Sequence, residues 1–364
     1  MSFRFRNNKI LSITIKKGNN RITIKDSQAV FNDNLRHLAE SYECEYSKSY
    51  FPYKFSRDVN LFYTGVTPTI NDFIDIPKED YVKMYSESWS FQEETLKYLE
   101  LDLKVLYEVL SKANKNLFIY YNIDFTKSLT ISGVSLQFFL NKYYKNNIPL
   151  INKKSMFSDI RQAYYGGITE VYRPYGENLY YYDVNSLYPF AGLNDMPGLS
   201  CNKVLVYTNP DLDKLFGFFF CYIDATNVKC EYLGLLPFRQ DKLIFPLGKW
   251  EGWYFSEKLK FAKEQGYKIT VIKGYEFERT KNVFNEFVKD VYKHKVNASN
   301  HTKKSIAKSL LNNLLGRWGI DLLKDEVTII SDEKFTEMLH IRDVKQHHII
   351  GNYNLVSYCA GLNY

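Results

Sequence analysis

Two hydrophobic periodicities run along the chain, and each predicts its own kind of element. Residues 9–25 alternate apolar and polar positions around a turn that begins at Gly18, which predicts a β-hairpin, and residues 34–42 are typical of a short helix. From 79 to 113 the apolar spacing becomes three and four, which predicts a helix with its leucines in the core. These leucines are Leu96, Leu99, Leu103, Leu106 and Leu110.

The second part of the chain is richer in aromatic strands, which begin near residue 160 and are broken by glycine and proline. The pattern also predicts, in chain order, a helix at 133–147, a helix at 256–265, a strand at 267–275, and helices at 281–295 and 303–318. The polar segment INKKS separates the helical first part from the strand-rich second part. We therefore place a domain boundary near residue 150.

Composition narrows the class of protein. Lys and Arg number 48 against 41 Asp and Glu, so the formal charge is +7, a mild excess that fits a nucleic-acid partner. The five cysteines form no C-x-x-C pair, which argues against a zinc site or a disulfide framework. No stretch stays apolar for the roughly 18 residues of a membrane span, and no leader is recognisable, so we expect a soluble, unprocessed protein.

The sharpest candidate for chemistry is the segment DVNSLYP, which begins at Asp183. The aromatic run LYYY before it predicts a strand that delivers the Asp183 carboxylate to the edge of a sheet, where it can bind a divalent cation with phosphate oxygens. The turn that follows offers backbone N–H groups, at Ser186 and Leu187, to a triphosphate. Tyr188 would then lie beneath the sugar and exclude a 2′-hydroxyl.

Three further patterns could contact nucleotides or nucleic acid. Lys304, Lys308, Asn312 and Gly316 recur every four residues on the helix at 303–318, so they share one face that can bind phosphates while the leucines of another face pack. Paired glycines allow close approach of a nucleic-acid backbone, and the neighbouring aromatic and basic side chains can stack on bases or contact phosphates. This second group comprises Arg161, Tyr164, Gly166 and Gly167.

The third pattern lies on the leucine-rich helix. Tyr98 and Asp102 are about one turn apart on one face, so the phenol can orient a water while the carboxylate holds a metal ion. Any acidic helix can show this spacing, and the pattern gains its meaning from the others.

Together these segments resemble the motifs of family B DNA polymerases, in particular the protein-primed enzymes of linear mitochondrial plasmids and phages. D-x-x-S-L-Y-P is similar to motif A and K-x-x-x-N-x-x-x-G to motif B of the fingers. Y-x-G-G resembles the segment that links exonuclease and polymerase domains, and Y-x-x-x-D resembles the third exonuclease motif. In motif B, Leu315 and Asn313 depart from the Tyr and Ser that many members carry.

The resemblance implies a role for each matching residue. Asp183 and Lys308 are implied to be catalytic, with Asp183 also a metal ligand and Lys308 gripping the incoming triphosphate. Nucleotide contacts are implied for Ser186, Leu187, Tyr188, Lys304 and Asn312. DNA contacts are implied for Arg161, Tyr164, Gly166, Gly167 and Gly316. Tyr98 and Asp102 are implied to be a remnant of the exonuclease site.

Several motifs of such an enzyme are missing from the sequence. The D-x-E and N-x-x-x-F-D motifs of the exonuclease do not precede residue 26, and no D-T-D of motif C occurs. Two-metal transfer requires at least two carboxylates from facing strands. We therefore expect a fragment with little or no turnover and without proofreading.

The expected fold is α+β, with an RNase H-like 3′–5′ exonuclease remnant followed by a polymerase palm and two-helix fingers, and with the thumb and the end of the palm missing. The expected domains are a partial exonuclease-like domain (1–150), a palm with linker motif and insertion (151–280), fingers helices (281–320) and a truncated return into the palm (321–364).

The implied function is DNA-directed DNA synthesis, in which a primer 3′-hydroxyl attacks an incoming dNTP on a DNA template with Mg²⁺. The implied partners are DNA template and primer, dNTP and a terminal protein that supplies the first primer. We expect a monomer without a membrane partner, encoded in a mitochondrion or, alternatively, on a cytoplasmic linear plasmid or a phage. A noncatalytic nucleic-acid-binding remnant and a stand-alone nuclease using Asp102 are the rival interpretations.

Overall fold

The computed structural model describes residues 2–6, 9–31, 33–57, 60–171, 174–205, 210–229, 233–321, 323 and 325–359. Its helices are α1 (Leu35–Ser41), α2 (Lys78–Met84), α3 (Phe91–Tyr121), α4 (Ile131–Lys142), α5 (Lys154–Gln162), α6 (Leu187–Ala191), α7 (Ser256–Glu264), α8 (Asn285–Val296), α9 (His301–Trp318) and α10 (Asp332–Ile341). Its strands are β1 (Ser2–Arg6), β2 (Lys9–Lys17), β3 (Asn20–Lys25), β4 (Thr64–Gly65), β5 (Trp89–Ser90), β6 (Met196–Leu205), β7 (Gly217–Asp224), β8 (Phe238–Arg239), β9 (Leu243–Ile244), β10 (Lys249–Phe255), β11 (Lys268–Thr280), β12 (Asp325–Ile330), β13 (Asp343–Ile350) and β14 (Tyr353–Cys359).

Backbone contacts divide the chain into two units that do not follow chain order. A sheet-rich unit comprises Met1–Asp26, Ser135–His294 and Ala307–Tyr364, and a helical unit comprises Ser27–Val134 and Lys295–Ile306. The domain limits expected from the sequence are divisions by function, and they stay predictions.

The centre of the sheet-rich unit is an antiparallel sheet in the order β10-β7-β11-β6. Side chains of β7 alternate between its two faces because successive residues of a strand point in opposite directions. Phe219 is fully buried on the face that packs against Leu259 of α7. Phe218 and Phe220 lie on the other face, with Ile160 of α5. Helices on both faces therefore fix the position of the segment that follows α5.

The predicted hairpin and several predicted helices are confirmed. β2 and β3 pair antiparallel, and Gly18 between them has a φ of 57°, a left-handed conformation that glycine adopts without a steric penalty. Asn34 caps α1 by accepting a hydrogen bond from the backbone N–H of His37. The predicted elements at 256–265, 267–275, 281–295 and 303–318 correspond to α7, β11, α8 and α9.

The prediction that the leucines of the leucine-rich helix face the core is wrong. The helix is interrupted at β5, and on α3 the residues Leu96, Leu99 and Leu103 are all more than half exposed. The buried residues are instead spaced four apart, and they are Val105, Val109, Ala113 and Leu117. The sequence carries two apolar stripes on one helix, and only the stripe that contains Val105 is buried.

The aromatic run before Asp183 is also not the strand that its pattern predicts. Residues 179–184 have no regular secondary structure, and Tyr181 is 93% exposed. A strand needs a neighbour to satisfy its backbone N–H and C=O groups, and no strand among the described residues pairs with this run. The hydrophobic pattern shows that a segment suits a sheet, but it does not supply the partner strand.

Within the described ranges, none of the helices combines the length and the apolar character that a membrane crossing requires.

Candidate active site

Asp183, the predicted metal ligand, is exposed at the end of the aromatic run. Among the described residues its carboxylate has no ion pair, and no group of three His, Cys, Asp or Glu side chains that could hold a metal ion is found. An unpaired, solvated carboxylate is available to a cation, but one carboxylate does not make a two-metal site. The described residues therefore do not fit such a site on their own.

The residues after Asp183 form a short helix that begins with a backbone constraint. Ser186 is the N-cap of α6, and its φ of 55° places it in the left-handed region, which is uncommon outside glycine. The turn brings Leu187 and Tyr188 to the surface, where they are 53% and 59% exposed. Both side chains are thus accessible to a ligand, whereas Pro189 of the same helix is buried.

Tyr188 lies against the glycine pair of the linker segment. A Cβ atom added to Gly167 would lie 2.8 Å from the Tyr188 hydroxyl oxygen, whereas one added to Gly166 would meet nothing within 4 Å. The two glycines therefore have different roles. Gly167 leaves room for the phenol of Tyr188, and Gly166, with a φ of 82°, allows a left-handed turn.

The linker segment is also fastened to the end of α9. Arg161 donates a hydrogen bond of 2.7 Å from Nη1 to the backbone carbonyl of Gly319, and its guanidinium lies 4.5 Å from the centre of the Tyr164 ring. A Cβ on Gly319 would lie 2.6 Å from the Tyr164 hydroxyl oxygen. Three predicted motifs, the linker, motif A and the end of the motif B helix, are thus joined through Arg161, Tyr164, Gly167 and Tyr188.

A further arginine supports this arrangement, and sequence reasoning missed it. Arg239 donates a hydrogen bond of 3.1 Å to the backbone carbonyl of Tyr164, and its guanidinium lies 5.3 Å from the Tyr165 ring centre. The Tyr165 hydroxyl in turn donates to the carbonyl of Trp253 at 3.1 Å. Arg239 lies on the β8–β9 hairpin, about 75 residues from Tyr164, so no local pattern could have revealed it.

The basic face of α9 is as predicted. Leu310 and Leu314 are fully buried, whereas Lys304, Lys308 and Asn312 are exposed. Gly316 is exposed too, and an added Cβ there would meet nothing within 4 Å. The face is therefore open to a ligand along three turns of the helix.

The neighbouring helix α8 is anchored by an ion-pair cluster. Asp290 accepts hydrogen bonds of 2.8 Å from Lys142 and 2.5 Å from the Tyr143 hydroxyl, and His294 lies 3.6 Å away. Although burial opposes the effect, the hydrogen bonds from Lys142 and Tyr143 hold the pKa of Asp290 below its ordinary value. This cluster therefore attaches α8 to the end of α4.

Tyr98 and Asp102, in the helical unit, are brought into a small polar cluster. Tyr98 shares a hydrogen bond with the Tyr53 hydroxyl, and the ammonium of Lys48 lies 3.5 Å from Oδ2 of Asp102 and 5.4 Å from the Tyr98 ring centre. Burial raises the pKa of the Tyr98 phenol, and the hydrogen bond with Tyr53 and the Asp102 carboxylate act in the same direction. Sequence reasoning missed Lys48 and Tyr53 because they lie on a loop about 50 residues upstream of Asp102.

The sequence profile of the family described as DNA polymerase type B, organellar and viral, matches residues 1–360. This chain belongs to that family. A probable DNA polymerase of Podospora anserina is 44% identical over 339 residues, which are 90% of this chain and 28% of that protein. A probable DNA polymerase of Agaricus bitorquis is 30% identical over 380 residues, with 98% of this chain and 47% of that protein covered.

The fold of this type B polymerase chain is similar to that of Phi29 DNA polymerase. Phi29 DNA polymerase complexed with primer-template DNA and incoming nucleotide substrates superimposes with a TM-score of 0.61 at 17% identity, over 99% of this chain and 58% of that chain. The orthorhombic crystal form gives a TM-score of 0.59 at 17% identity, over 88% and 53%. The likeness establishes a mixed α/β fold of this kind. The chain spans between about a quarter and a half of the curated relatives named above.

Proposed function

We propose that this chain is part of a DNA-directed DNA polymerase, in which a primer 3′-hydroxyl attacks the α-phosphate of an incoming dNTP and pyrophosphate leaves. The observation that carries the proposal is the joining of the linker segment, motif A and the end of α9 through Arg161, Tyr164, Gly167 and Tyr188. The DNA and nucleotides bound by Phi29 DNA polymerase, a protein of similar fold, support DNA template, primer and dNTP as the ligands.

Each exposed group has a part in this proposal. Lys308 and Lys304 neutralise phosphate charge of the incoming nucleotide, and the backbone N–H groups at Ser186 and Leu187 donate hydrogen bonds to its triphosphate. Tyr188 lies beneath the sugar and excludes a 2′-hydroxyl, and the missing side chain of Gly167 leaves room for its phenol. Asn312 contacts the nucleotide, and Gly316 leaves space for the templating base.

The chemistry of the linker segment fits the template strand. Arg161, Tyr164, Gly166 and Gly167 offer a guanidinium, a ring and an approachable backbone, which are the groups that bind a nucleic-acid strand without reading its sequence.

The fold of the chain is proposed to be an exonuclease remnant at 1–150, a palm, and paired fingers helices at 281–320. Tyr98 and Asp102 belong to this remnant.

The isolated chain is proposed to have little or no turnover. Asp183 would be one carboxylate of a Mg²⁺ site, and the second carboxylate set of motif C is absent from the sequence. We further propose that the enzyme acts as a monomer, is primed first by a terminal protein, and replicates a mitochondrial or other linear element. A noncatalytic DNA-binding role is the second candidate, and the lone Asp183 carboxylate favours it.

The test is ultraviolet cross-linking of radiolabelled dNTP to the purified chain on a primer–template. We expect cross-linking that requires the complementary dNTP and that falls several-fold in Lys308→Gln, with Lys345→Gln on β13 as a control of equal charge change. Equal cross-linking of complementary and non-complementary dNTPs would exclude a polymerase nucleotide site. Primer extension with Mg²⁺ tests the proposed lack of turnover, since incorporation that is lost in Asp183→Ala would show the isolated chain to be catalytic and would exclude the noncatalytic candidate.

A further inference from the structure

A pocket of 330 Å³ opens in the helical unit, and it includes none of the site residues described above. The end of α1, the second half of α3 and the N-terminal end of α9 line it. Its principal polar lining residues are Lys112, Lys115, Asn116, Tyr120, Asn300 and Lys303. The volume lies within the range of about 300–1,000 Å³ that is usual for ligand sites.

One of the three lysines has a structural task. Lys112 forms an ion pair of 2.9 Å with Glu108 and donates a hydrogen bond of 2.6 Å to the backbone carbonyl of Glu43. Glu108 in turn accepts hydrogen bonds from the backbone N–H groups of Glu45 and Tyr46. The charge of Lys112 is therefore compensated, and the lysine holds the turn after α1 in place.

The other two lysines have no acidic partner among the described residues. Lys303 donates a hydrogen bond of 2.8 Å to the Ser299 hydroxyl, which is neutral, and its ammonium lies 5.0 Å from the Tyr120 ring centre. Lys115 forms no ion pair in the described part of the chain. The lining contains one carboxylate, that of Glu43, which is exposed. Two ammonium groups thus face a pocket with one acid at its rim.

The remaining lining groups suit a phosphate with an attached sugar. The Asn300 side chain accepts a hydrogen bond of 3.0 Å from the backbone N–H of Lys303, so α9 begins at the pocket and its positive end adds to the lysine charges. The Asn116 amide can donate to a phosphate oxygen or a sugar hydroxyl. Tyr120 is 40% exposed and presents an aromatic surface to a sugar or a base.

We propose that this pocket binds a phosphate group of a nucleotide unit, and that its occupant is single-stranded DNA. The choice of DNA rests on the proposed function, while the phosphate itself is inferred from the lining. A free dNTP carries the same chemistry, and the experiment separates the two sources. In this proposal Lys115 and Lys303 contact a phosphate of the strand.

The probe is a 5′-fluorescein oligothymidylate of about 12 nucleotides, a length within the usual site sizes of single-strand binders. Its affinity for the full chain is measured by fluorescence anisotropy between about 50 and 200 mM salt. Each lysine–phosphate contact on a single strand contributes about 0.7 to the slope of log K against log salt. Loss of two contacts therefore makes the salt-induced weakening over this fourfold range about sevenfold smaller.

We expect this sevenfold change in the double variant Lys115→Gln, Lys303→Gln. The matched control is Lys83→Gln, Lys97→Gln, which removes the same charge from exposed positions of the same unit and should keep the wild-type slope. Circular dichroism and urea midpoints confirm that both variants are folded. A slope equal to that of wild type in the pocket variant would overturn the proposal.

Competition by dTTP distinguishes the source of the phosphate. If dTTP displaces the oligonucleotide from wild type and from the control, but not from the pocket variant, the pocket is a nucleotide site and the DNA assignment is wrong. If dTTP displaces none of them, the strand is the ligand. If wild type binds neither probe, the proposed function fails together with this inference. If wild type binds the oligonucleotide and the pocket variant has the same salt slope, only this inference is refuted.

Discussion

Two neighbouring glycines of the linker segment should respond to alanine in opposite ways. At Gly166 an added Cβ meets nothing within 4 Å, but the φ of 82° is left-handed, so Gly166→Ala should cost about 1–2 kcal/mol of folding free energy. At Gly167 the added Cβ would lie 2.8 Å from the Tyr188 hydroxyl oxygen. That oxygen is the far end of an exposed side chain, so moving it should cost only about 0.5 kcal/mol.

The measurement is urea unfolding followed by tryptophan fluorescence, together with nitration of Tyr188 by tetranitromethane and peptide mass spectrometry. We expect the larger loss of stability in Gly166→Ala with unchanged nitration of Tyr188. Gly167→Ala should unfold close to wild type and change the nitration rate of Tyr188 at least twofold. A reversed order of stabilities, or unchanged nitration in Gly167→Ala, would refute the reasoning that Gly166 is needed for its left-handed backbone and Gly167 for the space that it leaves to Tyr188.

Three further outcomes are expected. Leu310→Ala should lower the free energy of unfolding by about 2–5 kcal/mol, because Leu310 is fully buried, whereas Leu99→Ala on the exposed face of α3 should change it by less than about 0.5 kcal/mol in urea titrations. Ser256→Ala should cost about 1–3 kcal/mol by the same measurement, because the buried Ser256 hydroxyl accepts the backbone N–H of Gly217 at 3.1 Å. Because the pKa of Asp290 in the folded protein is below its ordinary value of 3.8, Asp290 stabilises the fold above pH 3.8, and this stabilisation is lost as the pH falls further. In acid titrations Asp290→Asn should therefore lose less stability than wild type over this pH range. An acid transition equal to that of wild type would contradict the prediction.

The sequence carried most of the information on the motif B helix. The 3.6-residue period of a helix is enough to place Lys308, Asn312 and Gly316, four residues apart, on one face. The same period places Leu310 and Leu314, which are buried, on another face. The β2–β3 hairpin and the capped α1 are equally local, since a glycine turn and an asparagine cap act on the few residues around them. The family was recognised from the same local segments, and the profile match confirms it.

The leucine-rich helix and the aromatic run show where local reading failed. On α3 both apolar stripes satisfy the helical period. Which stripe is buried depends on the elements that pack against α3, and the period of α3 carries no information about them. The run that ends at Tyr182 has the composition of a strand, but its neighbour decides whether the hydrogen bonds are made.

What the sequence determined by itself is therefore the identity and the helical or turn setting of the motifs, because periodicity, caps and turn residues act over a few residues. Only the tertiary structure decided which of these groups meet. The Arg161–Gly319 hydrogen bond joins residues 158 positions apart, and Lys115 and Lys303 line one pocket whose walls come from three distant segments. Such contacts depend on the packing of whole elements. The hydrophobic free energy that selects this packing comes from the whole buried core and not from any one segment.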